Sequence, residues 1–80
     1  MSKLEIRSPL PGTFYRASSP DTPRLKEDGH DVQAGDPIGV IEVMKTFQQI
    51  AADVTGKNVT FLVENEEPVM AGQVIAEVEQ

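Results

Sequence analysis

The 80-residue chain contains no cysteine. That absence removes disulfide staples, thiolate zinc ligands and thiol nucleophiles together, so stability must come from the packing of Ile, Val, Leu, Phe and Met. It permits a reducing compartment, and a cytoplasmic location is expected. Positive charge is scarce: seven Lys and Arg stand against thirteen Asp and Glu, for a formal charge of −6. Such a balance repels a phosphate backbone and an anionic lipid surface, so neither nucleic acid nor membrane is an expected partner. Long apolar runs are missing, since Lys3, Glu5 and Arg7 interrupt the N-terminus at once, so neither a signal peptide nor a membrane span is expected. Histidine occurs once, as His30 in "EDGHDV". One imidazole among scattered carboxylates does not supply the converging ligands of a metal site, so none is expected and His30 reads as a loop residue. Glycine-rich phosphate loops, paired-carboxylate motifs and nucleophile elbows are also absent, which leaves an enzyme reading nothing specific to rest on.

A chain of this length makes one domain, expected over residues 1–80. Folding should bury about 60 to 65% of the surface that the unfolded form exposes. The acidic excess lies largely at Glu64, Glu66, Glu67, Glu77 and Glu79 and reads as a solvated face.

What the chain does contain is a copy of itself. "VQAGDPI", Val32 to Ile38, and "VMAGQVI", Val69 to Ile75, share Val, Ala, Gly and Ile at matching places, 37 residues apart. More weakly, "IRSPLPG" from Ile6 lies over "IAADVTG" from Ile50, with matching ends and a separation of 44. The two offsets differ by seven, so the first half carries seven extra residues between Gly12 and Gly35. These fall in "RASSPDTPR", Arg16 to Arg24, where Ser, Pro and Asp dominate and no periodicity exists. The expectation is a protruding loop, stiffened by Pro20 and Pro23.

Strands are favoured elsewhere. "NVTFLVE" puts Val59, Phe61 and Val63 on one face, whereas "VIAEVE" alternates less cleanly through Val74, Ala76 and Val78. Ile41, Met44, Phe47 and Ile50 recur every three residues and allow a helix. Against it stand Pro37, Gly39, the β-branched residues Ile38, Val40, Ile41 and Val43, and the position of this segment at the seam of the repeat. The expected fold is all-β: two small antiparallel sheets related by a quasi-twofold axis and flattened around one core. Lys45 then occupies the hairpin that joins a strand Ile38–Val43 to a strand Phe47–Ala52.

A lysine at a hairpin tip is ordinarily a solvated charge. With a pKa near 10.4 in water, about one lysine amine in 2,500 is neutral at pH 7, which makes an exposed one a poor nucleophile or base. An exposed amine is instead well placed to be modified by another enzyme that brings its own activated acyl group.

Here the residues resemble a known family. "EVMK", Glu42 to Lys45, is similar to the Glu-Ala-Met-Lys signature of biotinyl carrier domains, and the doubled half-motif resembles the biotinyl/lipoyl hammerhead of two quasi-symmetric four-stranded halves. "SPLPGTFYR…SSPDT", Ser8 to Thr22, resembles the start of the carrier domain of bacterial acetyl-CoA carboxylase, whose protruding thumb falls where the repeat places an insertion, about residues 16–24. "LVENEEPVMAGQVI", Leu62 to Ile75, resembles that domain's second half, so the likeness runs from Leu4 to Glu79. It implies that Lys45 carries biotin as an amide, attached by a biotin protein ligase that uses biotinyl-AMP. Glu42, Met44 and Thr46 are implied as ligase recognition positions, and Ser18, Ser19, Pro20 and Asp21 as the thumb. Three residues depart from the pattern: Val43 replaces Ala, Thr46 replaces the second Met, and Phe47 stands where Met is common. Ala17 stands where thumbs often carry Thr, which leaves Ser18 or Ser19 as a hydroxyl near the tethered ring.

The resemblance further implies a carrier that catalyses nothing itself. A biotin carboxylase loads carboxylate from bicarbonate with ATP, and a carboxyltransferase unloads it onto an organic acceptor, in an acetyl-CoA or related acyl-CoA carboxylase of fatty acid biosynthesis. Lysine and valeryl chains together reach on the order of 14 Å, so the whole domain must move between distant sites. Two alternatives remain open: a lipoyl carrier, whose tip usually reads Asp-Lys-Ala without a thumb, and an unmodified all-β interaction module.

Overall fold

Alternating and β-branched apolar residues put most of the chain into extended structure. The computed structural model describes residues 3–17 and 23–80, and these contain no helix. The strands are β1 (Lys3–Arg7), β2 (Gly12–Tyr15), β3 (Pro37–Val43), β4 (Thr46–Ala51), β5 (Lys57–Phe61), β6 (Glu67–Val69) and β7 (Val74–Glu79). They form two antiparallel sheets, one ordered β1-β7-β5 and the other β4-β3-β2-β6. Every strand gives at least one side chain to a single apolar cluster, with Ile6, Phe14, Ile41, Ile50, Val59 and Val69 among its members. The three-residue recurrence at Ile41, Met44, Phe47 and Ile50 is therefore not a helical stripe: Ile41 and Ile50 are buried, while Met44 and Phe47 are exposed.

Both sequence offsets correspond to equivalent contacts. In the first copy Gly35 has φ +96° and donates its amide to Ala52 O at 2.8 Å; in the second Gly72 has φ +85° and donates to Ser8 O at 2.7 Å. Each turn is closed by the side chain that follows its glycine, with Gln33 N donating to Asp36 Oδ2 and Met70 N to Gln73 Oε1, both at 2.9 Å. Ser8 and Ala52 are separated by 44 residues, the weaker of the two offsets. Gly12 and Gly56 form another such pair. A Cβ on Gly12 would lie 2.5 Å from Glu42 O and 2.6 Å from an Ile41 methyl, and one on Gly56 would lie 2.7 Å from Glu79 O and 2.6 Å from a Val78 methyl. Backbones pass so closely there that only glycine fits.

One feature departs from the expected symmetric halves. The first sheet has three strands, and the fourth is reduced to one bridge, Val32 with Gly56. Here β5 is irregular, with Asn58 at φ +56°, and the Asp31 carboxylate takes the Asn58 amide in place of a ladder bond. His30 O accepts from Val59 N at 2.8 Å, so the segment still covers this edge. The two halves share a bulge at matching places: register shifts between Pro37 and Gly39 in β3, and opposite Ile6 and Arg7 in β7. Each bulge places an extra isoleucine, Ile38 or Ile75, fully inside.

Of the expected insertion, residues 16, 17, 23 and 24 are among those described. Ala17 bridges Arg24, and Leu25 N donates to Arg16 O at 2.9 Å, so the neck closes as a short antiparallel pair. Arg16 anchors that neck. It is 6% exposed, its guanidinium lies 4.2 Å from the Phe61 ring centroid, and it reaches Asp28 Oδ1 at 3.4 Å. Ser18, Ser19, Pro20 and Asp21 lie outside the described residues.

The two matching turns differ in charge, which gives them different responses to acid. The Gln33 amide, and secondly Lys26 at 3.3 Å, hold the Asp36 carboxyl below its ordinary value; Gln73 does the same work with a neutral amide. A depressed folded-state pKa stabilises the fold fully above the unfolded value near 3.9, and this is lost as pH falls through the lower folded value. Urea unfolding at a series of pH values should therefore show Asp36→Asn less stable than the parent at neutral pH and converging with it in acid. Parallel stability curves would contradict this assignment.

Candidate functional site

Val43 pairs with Thr46 across the β3–β4 ladder, which leaves Met44 and Lys45 alone to reverse the chain. A connection this short matches the right-handed twist of the strands only when both central residues have positive φ, a geometry that usually selects Asn-Gly. Met44 has φ +50° and Lys45 φ +66°. Left-handed backbone at non-glycine residues carries a cost of roughly 1 to 2 kcal/mol each. The hairpin tolerates it because its register is fixed below the tip. Ile38, Ile41 and Ile50 are buried, and Gly39 sits so tightly on Phe14 that a Cβ would meet ring carbon Cε1 at 2.4 Å.

The lysine is thus exposed on a stiff apex. Met44 beside it is 93% exposed, the most open large apolar side chain of the described residues, and Thr46 is exposed as the first residue of β4. Among the described residues, no carboxylate is within ion-pair distance of the Lys45 amine. Nor do the described residues contain a group of three His, Cys, Asp or Glu able to hold a metal. His30 lies in an exposed loop, where its Nδ1 accepts from Glu27 N at 3.2 Å.

Glu42 is half-buried one rung below the tip's last pair, opposite Phe47 on one side and Thr13 on the other. Its Oε1 accepts a hydrogen bond from the Tyr15 hydroxyl at 3.0 Å. The Tyr15 ring lies 6.2 Å from the Phe47 ring, tilted by 53°, and Phe47 remains 60% exposed. That hydrogen bond, with partial burial and the negative charges of Glu42 and Glu66, pushes the Tyr15 phenol above its ordinary pKa, so it remains a donor.

Of the positions read from sequence, the structure brings Glu42, Met44, Lys45 and Thr46 together at one hairpin end. Tyr15 and Arg16 were not among them. A period-two reading of "GTFYR" would have separated Phe14, pointing inward, from Tyr15, pointing outward, but no local rule pairs Tyr15 with a residue 27 positions away.

Since Met44 packs against nothing that demands its side chain, relief of its backbone strain should dominate any change there. Met44→Gly should raise stability by about 0.5 to 1 kcal/mol in urea unfolding. A drop in stability would show that the turn is not held left-handed.

Comparison with known proteins identifies the family. The biotin/lipoyl family, described as biotin-requiring enzyme, matches residues 4–78. The biotin carboxyl carrier protein of acetyl-CoA carboxylase from Pseudomonas aeruginosa is 45% identical over 64 residues, 80% of this chain and 41% of that protein. The protein of the same name from Nostoc sp. is 42% identical over 69 residues, 86% of this chain and 38% of that one. A chloroplastic form from Arabidopsis thaliana is 38% identical over 64 residues, 80% of this chain and 23% of that one. The chain therefore spans about two fifths or less of the length of these relatives. Among solved structures, a single-chain, multi-domain long-chain acyl-CoA carboxylase superposes with a TM-score of 0.68 at 22% identity, over 98% of this chain and 7% of that one. At that identity the likeness is one of fold. With a family match over nearly its whole length and the hairpin geometry in place, this chain belongs to the biotin/lipoyl family.

Proposed function

We propose that the chain is a biotin carboxyl carrier domain, with Lys45 as its attachment point. The observation that supports this most is the exposed amine on a two-residue turn, in a chain whose relatives are named biotin carboxyl carrier proteins. A biotin protein ligase would supply biotin as an acyl adenylate. The Lys45 amine loses a proton and attacks the acyl carbon; the amide bond forms, and AMP leaves with the electron pair of the broken anhydride bond. The domain needs no base of its own for this step, because the partner brings the activated acyl group. What it contributes is presentation: the turn fixes where the side chain leaves the fold, and Met44 and Thr46 crowd it little. Acylation removes one positive charge and takes the formal charge one unit below −6.

Held on Lys45, biotin would supply a ring nitrogen able to carry a carboxyl group from a biotin carboxylase to a carboxyltransferase, with acetyl-CoA or a related acyl-CoA as acceptor. The domain's part is transport. The tether reaches on the order of 14 Å, so movement of the domain spans the gap while attachment holds the cargo near both sites. An acidic surface and a small, rigid body suit brief contacts with large partners.

Intact-mass spectrometry after incubation with excess biotin protein ligase, biotin and ATP tests this directly. One biotinyl increment is expected on the parent chain and none on Lys45→Arg. A lipoyl increment with a lipoyl ligase instead, or no increment with either, would overturn the proposal.

A further inference from the structure

One side chain outside the hairpin touches both of its strands. Tyr15 ends β2, immediately before the insertion's neck, and is directly paired with Val40 of β3. Its hydroxyl reaches toward the tip, to Glu42 on β3, and its ring lies against Phe47 on β4. Glu42 and Phe47 face each other across the ladder, next to the Val43–Thr46 pair that closes the turn. The base of this strut is firm on both sides. Phe14 before it is fully buried, and Arg16 after it is clamped between the Phe61 ring and Asp28. The backbone amide of Arg16 also donates to Asn65 Oδ1 at 2.8 Å, which ties the end of β2 to the turn before β6.

We infer that Tyr15 is a positioning residue for acylation of Lys45: it holds the Glu42 carboxylate and the Phe47 ring in one arrangement beside the tip, where the acylating ligase lands. This inference rests on the carrier reading above. A glutamate on a strand samples several rotamers, and a partner that contacts it must pay for fixing one. With Oε1 engaged by the phenol at 3.0 Å, the carboxylate is oriented in advance, and among the described residues no donor engages Oε2. Phe47 lies opposite Glu42 on the neighbouring strand and remains 60% exposed. Backed by Tyr15, its rigid ring presents apolar surface with less rotamer freedom to lose than a thioether chain has. The raised pKa of the phenol keeps its proton in place over the working range.

The test is steady-state acylation by a biotin protein ligase with carrier concentration varied, on samples whose folding has been verified by circular dichroism. Tyr15→Phe keeps the ring against Phe47 and removes only the hydroxyl. It should raise KM for the carrier about three- to tenfold, the range expected for re-immobilising one side chain, with kcat nearly unchanged. Glu42→Asp, which withdraws the carboxylate from the phenol, is the second variant and should raise KM similarly. The double variant should add little to either single change. A Tyr15→Phe protein that melts at a lower temperature yet keeps the parent's KM would reduce Tyr15 to a structural role and overturn the inference, as would additive effects in the double variant. If the parent chain is not acylated at all, the carrier reading itself fails, and the inference with it.

Discussion

The structure depends on how few residues join β3 to β4. With Val43 and Thr46 paired, Met44 and Lys45 must turn the chain by themselves, and two left-handed residues are what the strand twist requires. A longer loop would relax that strain and let the lysine swing. The short one keeps its Cα at a set place, and the cost is covered by the ladder and core below it: β3 is flanked by β4 and β2, and Ile38 and Ile41 are wholly buried. Strain of this kind persists where the surroundings over-determine it, and such places tend to be functional.

The repeat explains how so small a chain holds its tip still. Corresponding glycines, Gly12 with Gly56 and Gly35 with Gly72, make the same close approaches and the same turns in both halves, and Ile38 and Ile75 enter the core through equivalent bulges. Symmetry also makes the departures informative. The matching turns differ in having Asp36 or Gln73, and the first half alone carries the neck between Arg16 and Leu25. Its buried guanidinium is not a cheap anchor, since a cation taken from water must be matched by partners. Phe61, Asp28 and the Lys26 carbonyl engage it, although Nε has no hydrogen-bond partner among the described residues, and these contacts hold the root of the insertion next to Tyr15.

Much of this was legible in the residues. The offsets of 37 and 44 located the matching turns of the two halves, because equivalent turns need equivalent glycines. The hairpin was legible from β-branched residues on one side of Lys45 and turn position in the repeat. The uneven alternation of "VIAEVE" has its cause in the bulge at Ile75, which a strict period of two cannot register. The reduction of the fourth strand was hidden as well: Val32 looks like its counterpart Val69, yet Asn58 and Asp31 replace the ladder beside it. Side-chain ties across strands, Tyr15 to Glu42 and Arg16 to Asp28, are set by register and lie beyond any local pattern. The thumb residues Ser18 to Asp21 fall outside the described residues.

The central claim is that a rigid left-handed turn presents the amine of residue 45. Three-bond amide–Hα couplings and residual dipolar couplings, measured in solution on the unmodified and acylated forms, report the φ angles of Met44 and Lys45 directly. Positive φ at both residues in both forms is the predicted result. A right-handed or averaged conformation at either residue before acylation would contradict the account.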